Sequence, residues 1–220
     1  SKRRTRRSAH ASAKAVIRAT GTAGPPAGRL APERVIGVHV NGATGFPIGL
    51  GDDEIATLTD LERDRLARVE RFMTEEFGYI AIQSTRPQTL AYGLTDSPVG
   101  QLAWLMDKVQ EWTFPREALP ETLIDVDLLL ANATLYWLTG TAGTAGYVGY
   151  AQPQDWEPAQ PSGVPTGVLN LAHDVGIRSV TERENSVVRW VDREDGGHFA
   201  AWQTPGLLVE GLRAFVADLR

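Results

Sequence analysis

The chain switches between two hydrophobic periods, and the switches mark its elements. Val35-Ile36-Gly37-Val38-His39-Val40-Asn41 is a short β-branched run, which predicts a buried strand. Asp60 can cap a helix that runs to about Phe77, with Leu66, Val69, Phe72, Met73 and Phe77 at helical spacing. Ser97-Pro98 predicts a second helix start, with Val99, Leu102, Leu105, Met106, Val109 and Trp112 at steps of three and four. Asp127 opens a helix through Leu138 that is apolar nearly all round and is therefore expected to be buried. Val164–Leu171 and Ser186–Val191 read as strands. Thr204-Pro205 starts a last helix, whose inner face is Leu208, Val209, Leu212, Phe215, Val216 and Leu219. Gly42–Gly51 and Gly140–Pro165 read as loops.

The order is strand, a long helical stretch, then strand–helix–strand–helix. It predicts an α/β fold: the closing part of a parallel sheet with a helical cap inserted after one strand, at about residues 52–160. Only three strands are legible, fewer than a doubly wound sheet normally has, so a truncated sheet is expected. Ligands of such sheets bind at the carboxyl ends of the strands. A three-strand sheet would leave Val35–Asn41 unpaired on one side, and an unpaired apolar edge predicts self-association.

Charge divides the chain differently. Of 22 Lys and Arg residues, eight lie in the first 32 positions (Lys2, Arg3, Arg4, Arg6, Arg7, Lys14, Arg18, Arg29), where there is no Asp or Glu. The other 188 residues hold 14 basic and 27 acidic side chains. With Pro25-Pro26 and little apolar periodicity, residues 1–29 read as a disordered basic tail, and 30–220 as the folded part. Three readings of the tail stay open. It is an arm for nucleic acid, with weak, salt-sensitive binding and no sequence preference; or an Arg- and Ser-rich targeting peptide; or a stretch foreign to the fold, from a wrong reading frame or a misplaced start.

Composition narrows the chemistry. The chain has 220 residues, 42% hydrophobic and 22% charged, which is ordinary for a globular protein. With no cysteine, disulfides and thiolate metal sites are excluded. Residues 1–32 lack the apolar core of a signal peptide, and no apolar run approaches the ~18 residues of a membrane span, so a cytoplasmic protein is expected. The nucleophile elbow G-x-S-x-G, H-E-x-x-H, the P-loop and a post-strand G-x-G-x-x-G are all missing, so no metal or cofactor is expected. Of the four His, His10 lies in the tail and His39 inside a strand, where it reads as a core histidine. His198 follows two glycines in Asp195-Gly196-Gly197-His198-Phe199-Ala200, just past the last strand, where a general base would sit. Asp174 ends the preceding strand 24 residues earlier. A carboxylate there orients an imidazole and stabilises its charged form, or caps the next helix.

Four stretches carry a resemblance: Gly78-Tyr79-Ile80 through Ser97-Pro98-Val99-Gly100, Leu135–Thr141, Val164–Val168 and Gly196–Ala201. In this order they closely resemble the cap and C-terminal part of microsomal-type epoxide hydrolases, especially the bacterial relatives, from about Leu30 onward. The resemblance implies an α/β-hydrolase fold and a small-molecule epoxide as substrate. An Asp attacks the epoxide and forms an ester, two cap tyrosines hold the epoxide oxygen, and a His–acid pair activates the water that releases a diol. Carried over, His198 is the base, Asp174 its acid and Tyr79 the first cap tyrosine. The second is Tyr150, with Tyr147 the alternative. The family's nucleophile sits in a Gly-Gly-Asp-Trp-Gly elbow ahead of the segment matching Pro32–Asn41. Here Ala11–Arg29 holds no Asp, Glu or Trp, and the His-Gly-x-Pro oxyanion loop has no counterpart. The expectation is an epoxide hydrolase lacking its nucleophile-bearing half, or alternatively a non-catalytic binding or interaction module.

Overall fold

The computed structural model describes residues 15–20, 30, 32–42, 47–151 and 161–220. At its centre is an all-parallel sheet of four strands in the order β1-β2-β3-β4: β1 Ala15–Thr20, β2 Val35–Asn41, β3 Pro165–Asn170 and β4 Ser186–Asp192. Val38 lies opposite Ile17 on one side and Thr166 on the other, and Val168 opposite Trp190. Two sequence expectations change. The sheet has a fourth strand, and β2 is interior rather than an edge, because β1 pairs along it. Val16, Ile17 and Thr20 give that segment enough β-branched character for a short strand. The Arg- and Ala-rich sequence around it hides the signal. Ala15–Thr20 is thus ordered in a stretch expected to be disordered. The rest of residues 1–29, His10 included, lies outside the described residues.

Between β2 and β3 the described chain is helical: Asp52–Thr57, Asp60–Arg71, a π-helical turn Phe72–Glu76, Gly78–Thr85, Pro87–Asp96, Pro98–Trp112, Pro120–Leu123, Val126–Thr139, Ala142–Gly146 and Val148–Ala151. This is the inserted cap, and two short helices occupy the start of what reads as a loop after Gly140. The Asp60–Arg71 helix is capped one residue earlier than expected. Thr59 Oγ1 accepts the Glu62 N–H at 3.3 Å while Glu62 Oε2 accepts the Thr59 N–H at 3.0 Å, a reciprocal capping box. Ser97 caps the Pro98–Trp112 helix through the Gly100 N–H at 3.0 Å, as its position predicts. The Val126–Thr139 helix departs from expectation. Only Leu129 and Ala133 are buried, while Val126, Leu130, Leu135 and Leu138 face outward. Its contact with the Pro98–Trp112 helix is a narrow strip, fixed where Gln101 Nε2 donates to the Ala133 carbonyl at 2.8 Å. Among the described residues no helix is long and apolar enough to cross a membrane.

The closing helix Pro205–Asp218 covers one face of the sheet through Leu208, Gly211 and Phe215. Phe215 is fully buried and reaches the backbone of two strands because glycine stands at 37 and 167. A Cβ at 167 would lie 2.5 Å from Phe215 Cδ2, and one at 37 would lie 2.9 Å from Phe215 Cζ. His39 is buried beside it, the ring centres 5.7 Å apart, as expected of a core histidine. Val209, expected on the inner face, points outward. A Gly167→Ala substitution is expected to cost about 1–3 kcal/mol, because its Cβ would overlap the fully buried Phe215 ring. Urea denaturation midpoints of variant and wild type check this, and equal midpoints would contradict it.

Candidate active site

Because all four strands run the same way, the ends of β2, β3 and β4 open on one edge of the sheet. Asn41-Gly42, His173-Asp174-Val175 and His198 follow those three ends and line one cavity of about 690 Å³. The facing wall belongs to the cap: Arg68, Arg71, Phe72, Glu76 and Tyr79 from one segment, Trp112 and Phe114 from another. The site therefore forms where the sheet edge meets the inserted helices, the place expected for this class of sheet.

The turn that presents His198 depends on its two glycines. Gly196 has φ 87°, in the left-handed region, and Gly197 passes so close to the cap that a Cβ would lie 2.6 Å from the Trp112 carbonyl oxygen. That approach lets the His198 N–H donate to the Trp112 carbonyl at 2.8 Å. The ring packs edge-on against Trp112 at 5.0 Å and Phe199 at 5.2 Å. His198 is open to the cavity, yet the surrounding protein removes enough water to lower its pKa. It is thus neutral, and able to accept a proton, at neutral pH.

Asp174 is buried, and it does not hydrogen-bond His198. Its Oδ2 accepts the Leu171 N–H at 2.7 Å, while its own N–H donates to the Leu171 carbonyl at 3.0 Å. The carboxyl group is drawn into the turn that follows β3, beside Gly42. Burial pushes its pKa up to about 7, against the lowering effects of the Leu171 bond and of Arg65 and Arg68. His173 is pushed down to about 4, first by burial, then by the charges of His198 and Arg68.

Two arginines of the Asp60–Arg71 helix hold this turn. Arg65 is buried and donates to the Gly176 carbonyl at 3.0 Å and to Asp192 Oδ1 at 2.6 Å. Asn170 Nδ2 meets the same two acceptors at 3.1 and 3.2 Å. Arg68 donates to the Ala172 carbonyl at 2.5 Å and the Asp174 carbonyl at 3.1 Å. The sequence reading missed both arginines. The available signal was Arg65, Arg68 and Arg71 at steps of three, a cationic stripe on a helix read only for its apolar face.

Tyr79 is half-buried on the cavity wall. Burial, and secondarily the Glu76 carboxylate, push its pKa up to about 12, so it stays a hydrogen-bond donor. Tyr150 does not join it: it is 59% exposed and packs edge-on against Tyr147 at 6.4 Å. The Tyr147 hydroxyl bonds Gln88 Oε1. Neither tyrosine lines the cavity, because the Val148–Ala151 turn lies against the Gly78–Thr85 helix through Gly149, with its tyrosines turned away. Glu76, Trp112 and Arg71, unassigned by sequence, do line it. Among the described residues no three His, Asp or Glu side chains gather as metal ligands.

The sheet, the inserted cap and the His-bearing turn after the last strand define an α/β-hydrolase fold with a helical cap. The solved Aspergillus niger epoxide hydrolase superposes with TM-score 0.75 at 28% identity, over 95% of this chain and 53% of that one. The silkworm Bombyx mori juvenile hormone epoxide hydrolase, 24% identical, shares the fold with TM-score 0.75. No protein-family model matches the sequence. Over most of its length, however, the chain is homologous to proteins named as epoxide hydrolases. A "Putative epoxide hydrolase" of Stigmatella aurantiaca is 34% identical over 201 residues, covering 87% of this chain and 43% of the relative. Epoxide hydrolase 1 of Sus scrofa is 29% identical over 221 residues, covering 87% and 47%. The chain spans about half the length of the curated relatives it matches.

The pKa shifts set a pH signature. Asp174, raised from 3.8 to about 7, binds its proton more tightly folded than unfolded, so its contribution is lost as pH rises from about 4 to 7. His173, lowered from 6.5 to about 4, contributes the opposite: stability present above the unfolded value and lost as pH falls towards 4. Asp174→Asn keeps an acceptor for the Leu171 N–H and removes only the first effect. The variant is expected to gain stability relative to wild type as pH goes from 4 to 7. Parallel pH dependences of the two denaturation midpoints would contradict this.

Proposed function

We propose that this chain carries the cap and the acid–base part of an epoxide hydrolase acting on small apolar epoxides. In the reaction a carboxylate attacks one epoxide carbon, the C–O bond breaks, and Tyr79 hydrogen-bonds the oxygen on which charge develops. His198 then takes a proton from water, the hydroxide adds to the ester carbonyl, and the bond from the carbonyl carbon to the diol's oxygen breaks; the imidazolium protonates that oxygen, and the regenerated carboxyl group gives up its own proton to the other, completing the diol. Asp174 is the acid that stabilises the charged imidazole, after its side chain turns from Leu171 towards His198. The observation that carries this reading is one cavity with a neutral His198 on the sheet side and a protonated Tyr79 on the cap side. Phe72, Trp112 and Phe114 between them suit an apolar epoxide.

A second reading, a binding module without turnover, is favoured by one feature. The first 32 residues, which include the segment where the family's nucleophile stands, contain no Asp or Glu. Self-association is proposed for the isolated chain through the outward residues Val126, Leu130, Leu135 and Leu138, in place of the β2 edge.

The 220-residue chain is expected to bind a lipophilic diol but not to hydrolyse styrene oxide above background, measured as diol formation. Tyr79→Phe should weaken diol binding about three- to tenfold, the net worth of one hydrogen bond. Diol formation that survives purification and disappears in His198→Ala would mean that a carboxylate reaches the site. It would overturn the expectation of inactivity.

A further inference from the structure

Tyr79 and His198 come from segments far apart in sequence, and one residue touches both. The Trp112 ring packs edge-on against Tyr79 at 5.6 Å and against His198 at 5.0 Å, and is stacked on Phe199 at 6.2 Å. Its main chain is also engaged, since the Trp112 carbonyl accepts the His198 N–H at 2.8 Å. Both contacts depend on the orientation of the indole ring. Here the indole N–H donates to Glu76 Oε2 at 3.0 Å. Glu76 is itself buried, and its other oxygen accepts from Arg71 Nη2 at 2.7 Å. Glu76 ends the π-helical turn Phe72–Glu76, the irregular turn that leads into the Tyr79 helix. π-Turns inside α-helices concentrate at functional sites.

We propose that Trp112 is a positioning residue that sets the separation of Tyr79 and His198, and that Glu76 selects the indole rotamer which does so. The chain of contacts is closed: Arg71 holds Glu76, Glu76 holds the indole N–H, and the indole separates the two groups that face the epoxide. The roles of Tyr79 and His198 rest on the epoxide-hydrolase reading, but the contact itself does not. Gly197 belongs to the same device, since any side chain there would push the His198 turn off the Trp112 carbonyl.

The test is the NMR titration of His198 in the free chain, which needs neither substrate nor activity. Glu76→Gln keeps an oxygen acceptor for the indole and should leave the His198 midpoint and the Trp112–His198 ring cross-peaks as in wild type. Glu76→Ala removes the acceptor. The indole is then free to leave its rotamer, the desolvation it imposes on His198 falls, and the His198 midpoint should rise towards the ordinary imidazole value while the cross-peaks weaken. Trp112→Phe, which has a ring but no N–H, should resemble Glu76→Ala. A His198 midpoint and cross-peaks unchanged in Glu76→Ala would overturn the proposal, as would equal changes in Glu76→Ala and Glu76→Gln. Should Trp112→Phe fail to fold, the two Glu76 variants decide alone. Failure of a lipophilic diol to bind wild type, with the Glu76 pattern intact, would count against the epoxide reading and leave the positioning role standing.

Discussion

The site exists because two arginines on the first long cap helix reach across to the sheet. Arg65 satisfies the Gly176 carbonyl and the Asp192 carboxylate, and Arg68 satisfies the carbonyls of Ala172 and Asp174. The turn after β3 would otherwise present several carbonyl oxygens to a poorly solvated interior, where unpaired polar groups are costly. Guanidinium groups meet that need with several donors each and dock the cap in the same contacts. The link is ionic only in part. Asp192 is partly open to solvent, so the Arg65–Asp192 pair contributes less through its charge than through the geometry it imposes.

That docking explains the electrostatics of the cavity. Asp174 lies under the cap, with one carboxylate oxygen bonded to a backbone N–H, and desolvation outweighs the nearby arginines in setting its pKa. His173 is crowded by the same wall and by His198. His198 and Tyr79 face each other across space that the cap partly dries, and both are held in their neutral forms. In the proposed reaction, a neutral imidazole and a protonated phenol are what a base and an oxygen-holding donor require. The Asp174 side chain is not aimed at His198, because its own turn supplies a donor, the Leu171 N–H, three residues away.

The cap has a second, apolar attachment. A small core of Val109, Ile124 and Leu129, with Phe199 and Trp202 packed against it, ties the cap to the turn that bears His198. Beyond that strip, the Val126–Thr139 helix leaves most of its leucines outside. The position of His198 and the stability of the cap are thus linked through Phe199, which adjoins one and packs into the other.

The sequence by itself determined the local elements and the ends of the strands. Ser97 before Pro98, the β-branched run at Val35–Asn41 and the paired glycines before His198 each act within a few residues, so their consequences are legible without a partner. His198 and Tyr79 stand in contiguous motifs, which brings them forward as candidates, and both line one cavity. Only the tertiary structure decided which polar side chains face inward. Arg65, Arg68, Glu76 and Trp112 matter through bonds to residues 36 to 127 positions away. The buried fate of Arg65 and the exposure of Leu138 both run against their hydropathy. A β-branched trio at Val16, Ile17 and Thr20 is too weak a signal to outweigh its basic surroundings until β2 offers a ladder of hydrogen bonds. Tyr150 shows the limit from the other side: its position in a motif suggests a role, and the packing of one glycine against a neighbouring helix turns it away.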